Sequence, residues 1–508
     1  MRSAPAVSVV IPTYCSGPRL DEAIASIDAQ TLPQGQIEVL LLDDGSPDET
    51  PARIENIATG RANYRTFLLE PSGWPSRPRN VGVREARGRY VLFMDHDDTL
   101  YTQALEAAVT LGDEAGADVV NGKEVRTEIP DWALHSFQED RTDATSEHLR
   151  GVLPMTPHKL YRRDFLLEHD IRFPEAPRHL WEDVFFHIDL LRHRPHVAVL
   201  ASLPFYHWRV APANNSAASD GSQLEYGGDP EYWFYLDKLF ALINTIPDPA
   251  LRDDLLVHNV RARVATRIRR TDDPAYEINH DGVTRVLSQH VPKDVDALMP
   301  LRTRAAVELC REDRFDDAAD LLRAISIQRP VVTATRVTAT GPRSALVEGT
   351  IAWIDRGNGM AFARRTEGGD IVRCYPEALL PRLEALGVPA PADDMSAEFT
   401  FILRHQETRT SWALPGQVTV GLVEQPDGSF RPEGTFHAQL KRRTAAAGRP
   451  LRFGEYQCYA MVRFEERSWT TNVANLVTTD PDVGSVSVGR TPGGNLLLRL
   501  PRAQAAAR

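Results

Sequence analysis

The chain has 508 residues, 42% hydrophobic and 25% charged, an ordinary composition for a soluble globular protein that leaves room for about three domains. Its net charge of −12 argues against a general nucleic-acid binder, because such proteins carry a basic surface. No run approaches the roughly 20 apolar residues of a membrane-spanning helix, no signal-peptide core follows Met1, and the four cysteines lack zinc or redox spacing, so we expect a cytoplasmic protein with reduced thiols.

The first third of the chain alternates between strand and helix patterns. Apolar or β-rich runs predict strands at 7–11, 39–42, 64–69, 90–94 and 118–120. Apolar residues at helical spacing predict helices at 20–30, 48–58, 79–86 and 102–115. This alternation predicts a parallel sheet with helices on both faces, in which ligands bind at the carboxyl ends of the strands.

Three carboxylates follow the strand at 90–94, in the run FMDHDD at 93–98. Asp95, Asp97 and Asp98 would repel one another there unless a cation joined them, and hard divalent ions prefer oxygen ligands. Such an ion would in turn hold a diphosphate. We therefore interpret the chain as an enzyme acting on a nucleotide-activated substrate, with Asp95 and Asp97 at the ribose and at Mn²⁺ or Mg²⁺, and His96 between them in the donor site.

Three other element ends carry polar groups that suit a nucleotide sugar. Asp44, after the second strand, could accept the imide N–H of a uracil, and Arg79 and Asn80 open a helix after a Gly- and Pro-rich loop. Each has a plain structural explanation, such as a turn at Asp44 or a helix cap at Asn80, but the groups together favour a binding site. The third group lies at the end of the first strand and consists of Pro12, Thr13 and Tyr14. Tyr14 could flank the base of the nucleotide.

Four motifs, in this order, resemble family 2 glycosyltransferases: VVIPTY at 9–14, VLLLDDGSPD at 39–48, RNVG at 79–82 and GRYVLFMDHDD at 88–98. The resemblance covers the region from about residue 5 to about residue 215. It implies the GT-A fold, an α/β Rossmann-like domain with a mixed sheet. It also implies an inverting mechanism, a metal at the D-x-D motif, and a UDP-sugar donor such as UDP-GlcNAc or a UDP-hexose.

The resemblance also implies a catalytic base in a Glu-Asp pair that opens a helix, and Glu182-Asp183 in the run WEDVFF matches it. The helix dipole favours the charged form of Asp183, which would take the acceptor proton, while Glu182 contacts donor sugar or acceptor. Arg209 and Ser216 resemble the segment that closes over the diphosphate. Some relatives place a metal-binding histidine a few residues after that arginine, where this chain has none; His207 could replace it or be a packed strand residue.

We expect three domains in the chain. Residues 1–225 would form the catalytic domain, 226–328 a helical linker, and 329–508 a C-terminal all-β sandwich region of one or two immunoglobulin-like units, since many short strands are separated by turns. This order resembles the wall-teichoic-acid glycosyltransferases. The resemblance implies that the C-terminal region serves homo-oligomerisation, as a trimer, or acceptor binding.

The implied acceptor is a glycan or a polyol-phosphate polymer of the cell envelope. A polyanion of this kind would need basic patches on an otherwise acidic protein, and the sequence offers two. The patch of five arginines between residues 261 and 270 could instead contact anionic lipid at the inner face of the membrane. The patches are Lys441, Arg442, Arg443, Arg449 and Arg452, and then Arg261, Arg263, Arg267, Arg269 and Arg270.

Two other functions fit parts of the sequence. DHDDTL at 95–100 also satisfies the Asp-x-Asp-x-Thr pattern of haloacid-dehalogenase-like phosphatases, with Asp95 as nucleophile. That pattern normally lies on the first core strand, and it would leave Asp44, Arg79 and Asn80 without a role. The other alternative is a non-catalytic glycan-binding scaffold whose β-rich half binds the ligand.

Overall fold

The computed structural model describes residues 4–127, 134–144, 156–175, 179–209, 230–323, 329–353, 361–375, 379–385, 395, 397–464, 467–477, 482–483 and 486–501. The contacts within the chain divide it into two compact units. The first comprises Met1–Glu225 and Glu231–Asp254, and the second comprises Tyr226–Pro230 and Leu255–Arg508. Among the described residues, no helix has the length and apolar character needed to cross a membrane.

The first unit is built on a mixed eight-stranded sheet with the strand order β3-β2-β1-β4-β7-β6-β8-β5. Its strands are β1 Val7–Thr13, β2 Ile37–Asp43, β3 Tyr64–Leu68, β4 Tyr90–Phe93, β5 Thr99–Leu100, β6 Val119–Arg126, β7 Leu160–Arg162 and β8 Val197–Trp208. Its helices are α1 Arg19–Asp28, α2 Thr50–Ala58, α3 Ser76–Glu85, α4 Ala104–Ala115, α5 Arg163–Glu168, α6 Glu182–Arg192 and α7 Pro230–Ile243.

Every residue of β1, β2 and β4 is buried, as expected for central strands covered on both faces. The sheet is not wholly parallel, in contrast to the expectation from the alternating pattern: β1, β2, β3 and β4 run parallel, but β7 is antiparallel to both β4 and β6. The mixed sheet implied by the family resemblance is therefore confirmed.

Two element boundaries differ from the sequence prediction. β1 continues through Pro12 to Thr13; its pairing with β4 ends at Val10, so the missing N–H of Pro12 does not interrupt that ladder. α3 begins at Ser76 rather than at Arg79, with Pro78 inside its first turn, where backbone N–H groups have no partner within the helix. A Cβ at Gly82 would lie 2.3 Å from Val10, so this glycine lets α3 pack closely on β1.

The second unit begins with helices and ends in a β region. The helices are α8 Pro249–Asn259, whose last residues lie in this unit, a π-helical turn Val260–Val264, α9 Tyr276–Gln289, α10 Lys293–Asp296, α11 Leu301–Arg311 and α12 Phe315–Arg323. The predicted second basic patch lies here, and two of its arginines form ion pairs, Arg269 with Asp273 and Arg270 with Asp320.

The predicted C-terminal β-rich region is confirmed. Hydrogen bonding joins β15, β10, β9, β17, β16, β13 and β14 in a closed ring around one hydrophobic core, so the strands form one continuous sheet instead of two stacked ones. The strands are β9 Pro330–Gly341, β10 Ser344–Trp353, β11 Ala363–Arg365, β12 Ile371–Arg373, β13 Ala397–His405, β14 Ser411–Glu424, β15 Ser429–Lys441, β16 Gly454–Phe464, β17 Arg467–Asn475, β18 Asp482–Val483, β19 Val486–Arg490 and β20 Leu496–Leu500, with a short helix α13 Leu380–Ala385.

Candidate active site

The carboxyl ends of β1, β2 and β4 meet at one edge of the first sheet. The backbone N–H of Asp44 donates to the carbonyl of Thr13 at 3.0 Å, and that of Met94 donates to Val10 at 3.0 Å. The polar residues that follow these strands, Tyr14, Asp44 and Asp95, therefore lie along a single edge, as the sequence predicted. Tyr14 is 48% exposed, so its ring is accessible to a ligand.

Arg79 connects the D-x-D turn with the predicted catalytic pair. Its side chain is buried, with Nη2 donating to Asp95 Oδ1 at 2.9 Å and Nη1 donating to Glu182 Oε1 at 3.3 Å. The guanidinium also lies 5.2 Å from the ring centre of Phe173. Arg79 thus contacts two residues from other motifs, Asp95, which is 16 residues further along the chain, and Glu182, which is 103 residues further along.

Glu182 and Asp183 form the first turn of α6, as predicted. The residue before them, Trp181, has a left-handed backbone with φ of 60°, a conformation that few non-glycine residues adopt and that clusters at functional sites. The N–H of Val184 donates to Asp183 Oδ1 at 2.8 Å. His187 lies one helical turn further on, with Nδ1 2.7 Å from the Asp183 carbonyl and Nε2 2.8 Å from the Tyr161 hydroxyl. These buried side chains therefore fix the position of the first turn of α6.

Two predicted donor contacts have structural partners within the protein. The Asp44 carboxylate accepts hydrogen bonds from the Ser72 backbone and hydroxyl and from the Gly73 N–H, at 2.8 to 3.0 Å. Asn80 donates to the Phe173 carbonyl at 2.8 Å and to Glu175 at 2.9 Å, and it accepts the Phe173 N–H at 2.9 Å. Asn80 therefore holds the segment over the Arg79 guanidinium, and Asp44 holds the loop that leads to α3.

Asp98 is fixed by the end of β8. The Tyr206 hydroxyl donates to Asp98 Oδ2 at 2.7 Å and accepts the Asp95 N–H at 3.1 Å, and the Arg209 N–H donates to Asp98 Oδ1 at 2.7 Å. The Arg209 guanidinium pairs with Glu22, so in this structure it is directed to α1. Ser216 lies outside the described residues.

The sequence interpretation missed His158. This buried histidine has Nδ1 2.9 Å from Glu124 and Nε2 3.3 Å from Asp95, and its ring stacks on Tyr206 with centres 3.9 Å apart. The sequence places His158 two residues before Leu160, at the start of the short β7, which gives only a weak signal. By contrast, His207 lies with Nε2 3.1 Å from the Thr127 hydroxyl. Its predicted role as a ligand is not supported by this position.

The carboxylates of the D-x-D turn have divergent pKa values. Burial alone would raise the pKa of the Asp95 carboxyl, but the charges of Arg79 and His158 outweigh it and hold the pKa well below its usual range. Burial and the Asp95 charge raise the pKa of Asp97, which forms an ion pair with Arg19 at 3.7 Å. Burial, with the charges of Asp95 and Asp97, raises the pKa of Asp98 to about 8.

This donor set fits a divalent cation. Asp95, Asp98 and His158 each offer one ligand atom, and those atoms lie within 4.8 Å of one another. The raised pKa values of Asp97 and Asp98 have the same two causes, because both carboxyls are buried and negative charge is concentrated around them. A bound cation would offset that charge, and Asp95 and Asp97, the predicted ligands, lie on the same turn.

The metal-free protein should lose stability as the pH rises from 6.5 to 9. Hydrogen bonds with Asp95 and Glu124 outweigh burial and raise the pKa of His158 to about 9. A pKa raised above the unfolded value of about 6.5 gives stability that is complete below pH 6.5 and lost as the pH passes through 9. Asp98, with its pKa also raised, changes stability in the same direction up to about pH 8, and above that pH Lys159, whose pKa burial lowers to about 8, partly offsets the loss. Thermal unfolding in EDTA at pH 6.5, 8 and 9.5 measures the loss, and His158→Gln should flatten it; an unchanged slope would contradict this account.

Two family models match the chain. Residues 8–167 match the one described as Glycosyl transferase family 2, and residues 229–322 match the one described as Glycosyl transferase TarS linker domain. The poly(ribitol-phosphate) beta-N-acetylglucosaminyltransferase TarS of Staphylococcus aureus is 27% identical over 61% of this chain and 54% of its own length. A poly(ribitol-phosphate) beta-glucosyltransferase of Bacillus spizizenii is 27% identical over 40% of this chain and 32% of its own length. The chain thus spans about half the length of the first relative and about a third of the second.

Solved structures share the fold. The crystal structure of S. aureus TarS covers 98% of this chain and 86% of its own, with a TM-score of 0.54 at 18% identity. Its segment 1–349 in complex with UDP-GlcNAc covers 73% of this chain and 97% of its own, with a TM-score of 0.55 at 22% identity. The order of an α/β domain, a helical region and a β region is therefore common to the two proteins.

Proposed function

We propose that this chain, whose residues 8–167 form a family 2 glycosyltransferase domain followed by a TarS-type linker, transfers a sugar from a UDP-sugar to a hydroxyl of a polyol-phosphate polymer. N-acetylglucosamine is the first candidate for the sugar. Its support is the name of the S. aureus relative and the UDP-GlcNAc bound in that protein's structure. Glucose is the second, since the Bacillus relative is named as a glucosyltransferase.

The observation that carries this proposal is the buried Arg79. One guanidinium contacts Asp95, at the predicted cation and donor site, and Glu182, next to the predicted base Asp183. Donor site and base are therefore parts of one rigid arrangement. A base must lie within hydrogen-bond reach of the hydroxyl it activates, while that hydroxyl faces the donor carbon.

The chemistry follows as a single displacement. Asp183 takes the proton of the acceptor hydroxyl as its oxygen attacks the anomeric carbon, and UDP leaves from the opposite face, so the configuration inverts. Asp95 and Asp97, with Asp98 close by, would hold Mn²⁺ or Mg²⁺, which when bound offsets the charge that develops on the leaving diphosphate. Arg209 is placed beside this turn by its N–H bond to Asp98, and its guanidinium would add positive charge if it left Glu22.

A basic rim in the second unit supports a polyanionic acceptor. We define it as residues 342–343, 406–410 and 441–453, which lie at one end of the strand ring: the Arg442 N–H donates to Arg343 at 2.9 Å, and His405 Nε2 lies 3.3 Å from the Phe453 carbonyl. The rim carries seven basic side chains and one acidic one, Glu407, in a chain whose net charge is −12. The basic ones are Arg343, Arg409, Lys441, Arg442, Arg443, Arg449 and Arg452.

Reversing two charges on this rim should weaken acceptor use. We expect Arg443→Glu with Arg452→Glu to raise the KM for poly(ribitol phosphate) at least about thirtyfold at low salt, since each of the two lost cations contributes about 1 kcal/mol near an anionic surface, and to leave the KM for the UDP-sugar unchanged. The effect should shrink in 0.5 M salt, about 0.5 M being enough to screen most exposed charges. Arg336→Glu with Arg490→Glu, exposed residues outside the rim, is the matched control. If both double variants raised the KM for poly(ribitol phosphate) equally, the rim would not be a specific binding surface for the acceptor.

The proposal as a whole is tested by UDP release from a panel of UDP-sugars, with and without Mn²⁺ and poly(ribitol phosphate). We expect release from UDP-GlcNAc or UDP-glucose that depends on the acceptor and is lost in Asp97→Ala. Phosphate release from a monoester without acceptor would favour the phosphatase alternative instead. Glycan binding without any UDP release would favour the scaffold alternative.

A further inference from the structure

We propose that His158 is a protein ligand of the active-site cation and that it makes the site select Mn²⁺ over Mg²⁺. The proposal rests on the proposed function, because it assumes that this turn holds a divalent ion. It replaces the sequence-based choice of His207, in β8, with a residue that lies just before β7.

The register of the sheet brings His158 to the D-x-D turn. β7 is antiparallel to β4, with Leu160 opposite Leu92, so position 158 continues this pairing opposite position 94, next to Asp95. His158 Nε2 lies 3.3 Å from Asp95 Oδ2, and the ligand atoms of Asp95, Asp98 and His158 lie within 4.8 Å of one another. One ion could therefore contact these two carboxylates and the imidazole.

The imidazole is held in one orientation by its neighbours. Its ring is 4% exposed and stacks on the Tyr206 ring at an interplanar angle of 7°. Tyr206 in turn donates its hydroxyl to Asp98, so the stack fixes the histidine and a carboxylate relative to each other. A ligand already held in position loses little conformational entropy when an ion binds.

Glu124 determines which nitrogen faces the ion. His158 Nδ1 lies 2.9 Å from Glu124 Oε2, an oxygen that also accepts the Thr156 hydroxyl at 3.0 Å. A metal-bound histidine usually donates its other ring N–H to a carboxylate in this way, which fixes the tautomer and raises the basicity of the ligating nitrogen. With Nδ1–H donating to Glu124, Nε2 would be the nitrogen that faces Asp95 and the ion.

His207 cannot take this role from its present position. Successive side chains of a strand point to opposite faces, and in β8 Tyr206 is the residue directed at Asp98 and Asp95. The next side chain, His207, accordingly faces away, and its Nε2 lies against Thr127. The two histidines therefore give opposite predictions for the same measurement.

A nitrogen ligand has a consequence for ion choice. Mg²⁺ binds oxygen ligands almost exclusively and keeps several waters, whereas first-row transition ions accept imidazole. An all-carboxylate turn would bind both ions. With His158 as a ligand, the site should prefer Mn²⁺, and the preference should depend on His158 and on Glu124.

The experiment measures Mn²⁺ bound to the full chain in the presence of UDP, without any activity assay. Pulsed electron paramagnetic resonance should show nitrogen coupling to Mn²⁺ in the wild type and in His207→Gln but not in His158→Gln. The Kd for Mn²⁺ should rise at least about tenfold in His158→Gln. It should rise about tenfold in Glu124→Gln, because losing a carboxylate that orients a metal ligand usually weakens metal binding by about this much. The Kd for Mg²⁺ should change less than about threefold in both variants. Thermal unfolding at pH 6.5 checks that the variants are folded, and His158→Asn provides a second substitution if His158→Gln is not.

The outcomes separate this proposal from the proposed function. If the wild type binds Mn²⁺ with UDP but shows no nitrogen coupling, His158 is not a ligand and only this proposal fails. The same conclusion follows if nitrogen coupling persists in a folded His158→Gln or His158→Asn variant. If nitrogen coupling disappears in His207→Gln instead, the sequence-based choice was right. If the wild type binds no Mn²⁺ even with UDP, the cation in the proposed function fails as well.

Discussion

Asp183→Asn should lower the turnover number about 10³-fold and leave the Kd for UDP within about threefold of the wild type. Asparagine has nearly the same shape, and its Oδ1 can still accept the Val184 N–H, so the start of α6 should be preserved. What it cannot do is take a proton from the acceptor hydroxyl. The measurement is acceptor-dependent UDP release at saturating donor, with UDP binding followed by calorimetry.

The matched control for this prediction lies on the same helix. Asp189 is part of α6, and its carboxylate pairs with Arg192 at 2.6 Å, so Asp189→Asn makes the same chemical change away from the predicted base. We expect this variant to retain more than half of the wild-type rate. If Asp183→Asn retains a tenth of the rate or more, Asp183 is not the general base and another group must activate the acceptor.

Arg79→Met should destabilise the first unit by about 3 kcal/mol, because it leaves Asp95 and Glu182 facing each other without the buried cation that now contacts both. Methionine keeps an unbranched apolar side chain but removes the guanidinium, which contacts both carboxylates and lies over the Phe173 ring, so the loss reports mainly the charged group. The loss in the free energy of unfolding should be smaller for Arg79→Lys than for Arg79→Met, since an ammonium keeps the positive charge but lacks the planar guanidinium that contacts two carboxylates at once. Urea unfolding followed by tryptophan fluorescence measures the change.

Arg77→Met serves as the control for this second prediction. Arg77 belongs to the same helix and is only partly buried, with a single long contact of 3.5 Å to the Glu70 carbonyl. Surface substitutions of this kind usually change the free energy of unfolding by less than about 0.5 kcal/mol. A loss below about 1 kcal/mol for Arg79→Met, or an equal loss for Arg77→Met, would show that the Arg79 ion pairs contribute little.

The two predictions also bear on function in different ways. Asp183→Asn removes one chemical step while the site stays assembled. Arg79→Met should weaken both UDP binding and turnover, because Arg79 holds Asp95 in place and adjoins the base. A variant that lost stability but kept full donor affinity would indicate that the Arg79 contacts are structural only.

Local sequence patterns were sufficient to predict the elements and motifs that depend only on residues close together in the chain. Apolar runs identified β1, β2 and β4, and the order of four short motifs predicted the resemblance to family 2 glycosyltransferases, whose model matches residues 8–167, and the mixed sheet. Asp95 was placed correctly at a strand end, and Glu182 and Asp183 at a helix start, because strand ends and helix starts have a signature within a few residues.

Contacts between side chains far apart in the sequence became visible only in the folded chain. His158 reaches Asp95 through the antiparallel pairing of β7 with β4, and Glu124 lies beside Tyr206 through the pairing of β6 with β8. No periodicity in the sequence encodes such a register, because it is set by sheet order and by packing between segments far apart in the chain. For the same reason the sequence did not reveal that Asn80 hydrogen-bonds to residues 173 and 175, or that the C-terminal strands close into a ring.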